Sequence, residues 1–179
     1  PDRLVVWLVV AYATVLPVRA MADPVACQRA IVRTNAKFID AISRALQSCE
    51  DKRASGKLPV GTKCGAEPKT ATAIDNAAGA LRSGIAGRCG GENKVCDGTD
   101  VGDDADDPLA SIGWGGGMCP GFADGTCRSA VADCDDIGAC LACIGSASVE
   151  QTISLYYRAF ATAEFGTRSS VNKCQRALG

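Results

Sequence analysis

The chain contains two cysteine-bounded segments, CQRAIVRTNAKFIDAISRALQSC (residues 27–49) and CGAEPKTATAIDNAAGALRSGIAGRC (residues 64–89), and they decide its fold. In each segment apolar residues recur at the period of an amphipathic helix. Two cysteines at opposite ends of the first helix would lie roughly 33 Å apart, too far for a disulfide. We therefore predict a mainly α fold built on an antiparallel helical hairpin. Its disulfides are Cys27–Cys89 at the open end and Cys49–Cys64 at the turn.

The hairpin, residues 23–91, has clear start and stop signals. Asp23 can cap the first helix, and Pro24 suits the first helical position. The polar segment 50–62 contains glycine and proline and predicts the connecting loop. The second helix is expected to begin near Lys69 and to end at the last cysteine of the hairpin. Its small residues predict close contact with the first helix, and they are Gly79, Gly84 and Gly87.

The composition excludes several classes of function. The chain has 179 residues, 11 cysteines, no histidine and a formal net charge of −1. A near-neutral chain offers no electrostatic basis for binding nucleic acid. Without histidine it cannot build a Ser-His-Asp or Cys-His catalytic system or a histidine-ligated metal site. Aromatic residues make up only 5% of the chain, so disulfides are expected to compensate for a small core.

Residues 1–22 have the pattern of a secretory signal peptide. Arg3 precedes an apolar run at 4–16, and Ala20-Met21-Ala22 forms a small-x-small cleavage signature. The run is too short for a membrane span, so we predict cleavage after Ala22 and no span in the mature chain. Export predicts a secreted, periplasmic or cell-surface protein whose cysteines form disulfides.

Residues 92–145 are rich in cysteine and glycine and predict an irregular subdomain. An acidic stretch within them offers oxygen ligands that could bind calcium. The five candidate calcium ligands are Asp100, Asp103, Asp104, Asp106 and Asp107. The stretch lacks the ligand pattern of an EF-hand, and most acidic runs are solvated loops. A solvated loop is the favoured interpretation, calcium is the alternative, and no other cofactor or metal is expected.

A glycine-rich segment, LASIGWGGGMCPGF (residues 109–122), is a candidate binding loop. Trp114 and Phe122 are its candidate contact residues, because an aromatic ring on a loop can stack on a sugar or contact a partner. The favoured alternative is that Trp114 covers a small secondary core.

The remaining cysteines allow three interpretations. Cys140 and Cys143 form a CxxC motif, but the surrounding sequence lacks the βαβ pattern of a thioredoxin-like protein. A zinc site formed by Cys127, Cys134, Cys140 and Cys143 is the second possibility, although their spacing differs from that of zinc ribbons. Structural disulfides are favoured, with the connectivity left open for Cys96, Cys119, Cys127, Cys134, Cys140 and Cys143.

A third helix is predicted at residues 148–163. Ser148 and Gln151 match a capping box, and an apolar face with Tyr156 and Tyr157 follows. This helix completes a disulfide-rich unit spanning residues 23–165.

The tetrapeptide CQRA occurs at Cys27 and again at Cys174, 147 residues later (174 − 27). We interpret residues 166–179 as a linker and the start of a second, truncated repeat. Cys174 would then lack its partner, which accounts for the odd number of cysteines. The alternative is a chance match, with Cys174 a free or intermolecular thiol.

The pattern of these motifs resembles uncharacterised cysteine-rich bacterial secreted proteins. Two of the motifs lie in the hairpin, CQ-x-A-I and DK-x-x-x-GK. Four more follow it, LASIGW, CPGF, CLACI and VEQTISLYY, so that the resemblance extends from Cys27 to Tyr157. The resemblance implies export, disulfides and tandem repetition, and it implies no catalytic residue.

The sequence therefore predicts a secreted, non-enzymatic structural or binding module of a repeat protein. A protein or cell-surface partner is expected rather than a small molecule. The alternatives are a calcium- or small-ligand-binding domain and a CxxC thiol oxidoreductase.

Overall fold

The computed structural model describes residues 23–122 and 126–161, the last four of them by their backbone alone. The predicted signal peptide, the end of the predicted third helix, the linker and Cys174 lie outside these ranges. Within them the fold is mainly helical and contains no strand, as predicted. The α-helices are α1 (Pro24–Ala54), α2 (Pro68–Cys89) and α3 (Cys134–Ala161), and short 3-10 helices occupy Cys64–Ala66 and Gly102–Asp104.

Helix α1 begins where the sequence predicted and ends later. The Oδ1 atom of Asp23 accepts hydrogen bonds from the backbone N–H groups of Val25 and Ala26, both at 3.1 Å. The helix continues to Ala54, through the first five residues of the predicted loop. These residues are mostly good helix formers. Ser55 is the C-cap of the helix, and the following Gly56 has a φ of +74°.

Helix α2 begins one residue before the predicted start. The Glu67 carboxylate caps it by accepting hydrogen bonds from the backbone N–H and the hydroxyl of Thr70, at 2.8 and 2.6 Å. The predicted close contact with α1 is confirmed at Gly84, where a Cβ would collide with the side chain of Thr34. A Cβ at Gly79 or Gly87 would meet nothing within 4 Å, so the prediction was wrong for these two glycines.

Helix α3 begins at Cys134, so the predicted start at Ser148 was wrong. The Oδ1 atom of Asp133 caps the helix, accepting hydrogen bonds from the backbone N–H groups of Asp135 and Asp136 at 2.8 and 3.0 Å. Ser148 lies inside the helix and donates its hydroxyl to the Gly145 carbonyl at 2.9 Å. Residues 134–145 are therefore helical, and the irregular region ends before them.

The three helices pack side by side, with α3 parallel to α1 and antiparallel to α2. Near its start, α3 meets α2 through an ion pair between Asp135 and Arg82. Near its end, Tyr157 donates a hydrogen bond to the Asp51 carboxylate of α1 at 3.1 Å. Between these points α3 passes closely over the buried Phe38 of α1. The core lies along these crossings, and its most deeply buried large apolar residues are Phe38, Ile42, Leu81, Ile85 and Ile137.

The ten described cysteines form five disulfides, with Cα–Cα distances of 4.9 to 5.6 Å. Two of them, Cys27–Cys89 and Cys49–Cys64, confirm the predicted closure of the hairpin. The other three set the connectivity that the sequence left open, and they are Cys96–Cys134, Cys119–Cys140 and Cys127–Cys143. Each of these three joins the irregular region to α3.

Candidate functional site

The acidic loop, residues 97–107, lies against the open end of the hairpin. Its last residue, Asp107, donates its backbone N–H to the carbonyl of Cys89 at 2.8 Å. Glu92 in turn donates to the carbonyl of Asp103 at 3.0 Å. Gly91, at φ +57°, lets the chain turn here, because a Cβ at this position would lie 2.8 Å from the Asp104 Cα. The loop is thus fixed to the C-terminal end of α2.

A cavity of about 190 Å³ lies between the acidic loop and the start of α3. Four of the residues that line it are aspartates, namely Asp100, Asp106, Asp107 and Asp133. Three of the five predicted calcium ligands therefore share one cavity. The other two, Asp103 and Asp104, are exposed on a 3-10 helix and do not line it.

Asp133 is the member of this cavity that sequence reasoning missed. It lies far from the loop in sequence, and the Cys96–Cys134 disulfide brings it there. The aspartates at 133, 135 and 136 are a recognisable helix-start signal, but that signal says nothing about which loop lies beside the helix.

Three of the six loop aspartates, Asp97, Asp100 and Asp106, accept local hydrogen bonds. The Oδ1 atom of Asp97 accepts from the N–H and hydroxyl of Thr99, both at 3.0 Å, and these bonds lower the pKa of Asp97. Asp100 accepts from the side-chain amide of Asn93. The Oδ2 atom of Asp106 accepts from the N–H of Gly98 at 3.1 Å. These bonds hold the loop in shape.

Asp107 is different, because its side chain is only 2% exposed and has no partner. Neither of its buried carboxylate oxygens forms a hydrogen bond within the described chain, and the same is true of Asp106 Oδ1. Burial, followed by the negative charges of Asp23 and Asp106, raises the pKa of Asp107. Burial also raises the pKa of Asp106, against the opposing hydrogen bond from Gly98. The cavity wall therefore carries carboxylates in an unfavourable environment.

One cluster of potential metal ligands lies close to this wall. The side-chain ligand atoms of Cys96, Asp106 and Cys134 lie within 4.8 Å of one another, the only such group of three among the described residues. Both sulfurs belong to the Cys96–Cys134 disulfide, so neither is available as a thiolate ligand. In the oxidised chain Asp106 is the only ligand that this group can supply.

The CxxC motif lies on α3, where Cys140 bonds to Cys119 and Cys143 bonds to Cys127. The two cysteines are therefore not paired with each other. Cys127 and Cys134, which completed the possible zinc set, are also in disulfides. This arrangement agrees with the structural interpretation that the sequence favoured.

Trp114 is partly buried and packs against the hydrophobic core. Its backbone N–H donates to the Leu109 carbonyl at 2.8 Å, within a turn after Pro108. Trp114 therefore packs on the core of the described residues, and the predicted separate small core is not distinguished from it. Phe122 is also partly buried, and neither residue lines the acidic cavity.

Comparisons with models of known protein families, with curated proteins and with solved structures gave no significant match. Five disulfides are typical of extracellular or other oxidising compartments. None of the helices in the described ranges has both the length and the apolar character needed to cross a membrane.

Proposed function

We propose that this chain is a secreted or cell-surface, non-enzymatic module that acts as a rigid structural or binding unit in a repeat protein. The observation that carries the proposal is the disulfide network, because it ties each of the three α-helices to another part of the fold. The segment between α2 and α3 has almost no regular structure, so its shape depends on these bonds. Such a fold needs an oxidising compartment.

The use of the CxxC cysteines supports a structural role. A thiol oxidoreductase needs an accessible, reactive thiolate. Cys140 is fully buried, and it is bonded to the loop rather than to Cys143. The second copy of CQRA at Cys174 supports the repeat, and the 1–22 segment supports export. A protein or cell-surface partner could contact the exposed apolar side chains of α3, where Leu155 is 62% and Tyr156 is 41% exposed.

The proposal is tested by expressing the chain, with a start codon added, in a bacterium that exports proteins. We expect the protein outside the cytoplasm, beginning at Asp23, with five disulfides by intact mass and peptide mapping. The matched control is the double variant Val9→Arg/Val10→Arg, which breaks the apolar run and should prevent export.

The same purified protein then enters an insulin-reduction assay, where no activity above the buffer is expected. Recovery of the unmodified chain in the cytoplasm with reduced cysteines would contradict the proposed location. Catalytic reduction of insulin would contradict the non-enzymatic role.

A further inference from the structure

The acidic cavity has an imbalance of charge that the proposed module function does not explain. Its lining residues other than the four aspartates are Gly98, Ala105, Pro108, Leu109 and Ala132. No lysine or arginine of the described chain lines it. The other charges that act on Asp107 come from Asp23 and Asp106, and those that act on Asp106 come from Asp133, Asp97 and Asp100. Every one of these groups is a carboxylate.

The buried oxygens make this imbalance costly. Both oxygens of Asp107 and Oδ1 of Asp106 are buried without a hydrogen-bond partner in the described chain. A buried carboxylate without a partner is strongly disfavoured unless it binds a proton or a cation. A solvated surface loop would not bury these oxygens, so the favoured sequence interpretation does not account for Asp107.

We propose that this cavity is a binding site for a hard divalent cation, with Ca²⁺ the best match. Asp107 is the central ligand, and Asp106 contributes Oδ1. Asp133 caps α3 through Oδ1 alone, which leaves its Oδ2 for the cation. All of these donors are oxygens, the ligand type that Ca²⁺ prefers. The inference goes beyond the proposed module function and does not depend on it.

The all-oxygen donor set favours Ca²⁺ over other metals, and the wide separation of the carboxylates predicts weak binding. No three carboxylates of the described chain have ligand atoms within 4.8 Å of one another, so the side chains must move to close the site. Ca²⁺ accepts six to eight ligands in a flexible geometry, whereas Mg²⁺ demands a near-ideal octahedron and Zn²⁺ prefers nitrogen and sulfur. We expect a dissociation constant of about 10⁻⁴–10⁻³ M, the range of extracellular calcium modules.

The site is tested on the oxidised, chelator-treated full chain near neutral pH and at about physiological ionic strength. Calorimetric titration with CaCl₂ should give one site in the stated range. At about 10 mM CaCl₂ the melting temperature should rise by roughly 3–8 °C. The same concentration of MgCl₂ should produce a smaller rise.

Two variants locate the site. Asp107→Asn should weaken calcium binding about tenfold or more, because ligand charge sets the affinity. The double variant Asp103→Asn/Asp104→Asn is the matched control, because it removes two charges from the same loop outside the cavity. It should keep its affinity within about twofold. Asp106→Asn is the second test if Asp107→Asn does not fold.

Three results would overturn the proposal. The first is that the unmodified chain gives no binding heat, and that its melting temperature in CaCl₂ lies within about 1 °C of the value in chelator. That result would mean that a proton, not a cation, satisfies Asp107. The second is an equal effect of MgCl₂ and CaCl₂. The third is an equal loss of affinity in the control variant, which means that calcium only screens the charge of the loop.

Discussion

Glu50 shows how burial acts on a single charge in this fold. It lies near the end of α1 and is only 7% exposed. Arg53, one turn further along the helix, forms an ion pair with it and also donates a hydrogen bond to the Thr62 carbonyl at 3.3 Å. Burial raises the pKa of Glu50 and outweighs the opposing charge of Arg53. The folded state therefore binds the Glu50 proton more tightly than the unfolded state does.

This shift predicts a specific pH dependence for Glu50→Gln. At about pH 3, Glu50 is almost fully protonated in both states and the substitution should change little. As the pH rises, the Glu50 carboxyl ionises first in the unfolded state. The free energy of unfolding of the unmodified chain therefore falls until the pH passes the pKa of Glu50 in the folded state. Glutamine does not ionise, so the variant should be more stable near pH 7 by on the order of 1 kcal/mol.

Urea unfolding of the oxidised chain between pH 3 and pH 8 checks this prediction. The control is Asp40→Asn, which removes an exposed carboxylate paired with Arg44 on the same helix. That change should cost less than about 0.5 kcal/mol. A Glu50→Gln variant less stable than the unmodified chain at pH 7 would show that the Arg53 ion pair outweighs burial.

At the scale of the helices, the crossing of α1 and α3 depends on one small residue. A Cβ at Gly145 would lie 2.7 Å from Phe38 Cε1 and 2.8 Å from Ile39 Cδ1. Both distances are shorter than side-chain contacts normally allow. Phe38 is only 2% exposed, so its ring has little room to move. The distance between these two helices is therefore set at Gly145.

Two glycine-to-alanine changes should have opposite effects. Gly145→Ala gains about 1 kcal/mol of helix propensity but overpacks the crossing, and we expect a net loss of roughly 1–2 kcal/mol. Gly79→Ala on α2 meets nothing within 4 Å, so it should gain roughly 0.5–1 kcal/mol. Denaturant unfolding of both variants gives the comparison. Equal or greater stability of Gly145→Ala would mean that the helices lie further apart than described.

The elements that the sequence predicted are those with local signals. Asp23 and Pro24 mark the start of α1, and helix length alone excludes disulfides between cysteines of the same helix. The start of α3 was missed because Gly138, Gly145 and the CxxC motif resemble irregular sequence, while Ser148 and Gln151 imitate a cap. The apolar spacing of Ile137 and Cys140 could have corrected this.

The acidic cavity could not be predicted in the same way. Six cysteines allow fifteen pairings, and only the pairing of Cys96 with Cys134 brings Asp133 beside the loop. The burial of Asp107 depends on packing against the end of α2, which leaves no local pattern in the sequence. The loop itself was recognisable from its aspartates. Its three-dimensional arrangement was not.

For the whole molecule, the disulfides predict how many cysteines can react. Ten of the 11 cysteines are in disulfides, and Cys174 lies outside the described residues. If Cys174 forms no disulfide within this chain, the denatured, unreduced monomer should contain one reactive thiol, at that position. Labelling with iodoacetamide followed by peptide mapping measures this. The Cys174→Ser variant should contain no reactive thiol, and labelling at any other cysteine would contradict the connectivity.

The order in which the cysteines occur along the chain has a consequence for biogenesis. The two hairpin bonds are nested, since Cys49–Cys64 lies within the segment closed by Cys27–Cys89. They can form one after the other as the chain is translocated. The remaining three bonds are interleaved, each crossing the other two, and none can be completed before Cys134 emerges.

Only one native bond, Cys49–Cys64, joins cysteines that are neighbours in the order of the described chain. In the second half of the unit, oxidation of cysteines in order of appearance would therefore trap wrong bonds, such as Cys96 with Cys119. Native connectivity then has to be reached by thiol–disulfide exchange, which is slow without a catalyst. The second half of the unit should accordingly mature only where a disulfide isomerase or a thiol redox buffer is present, and rapid air oxidation should yield scrambled isomers.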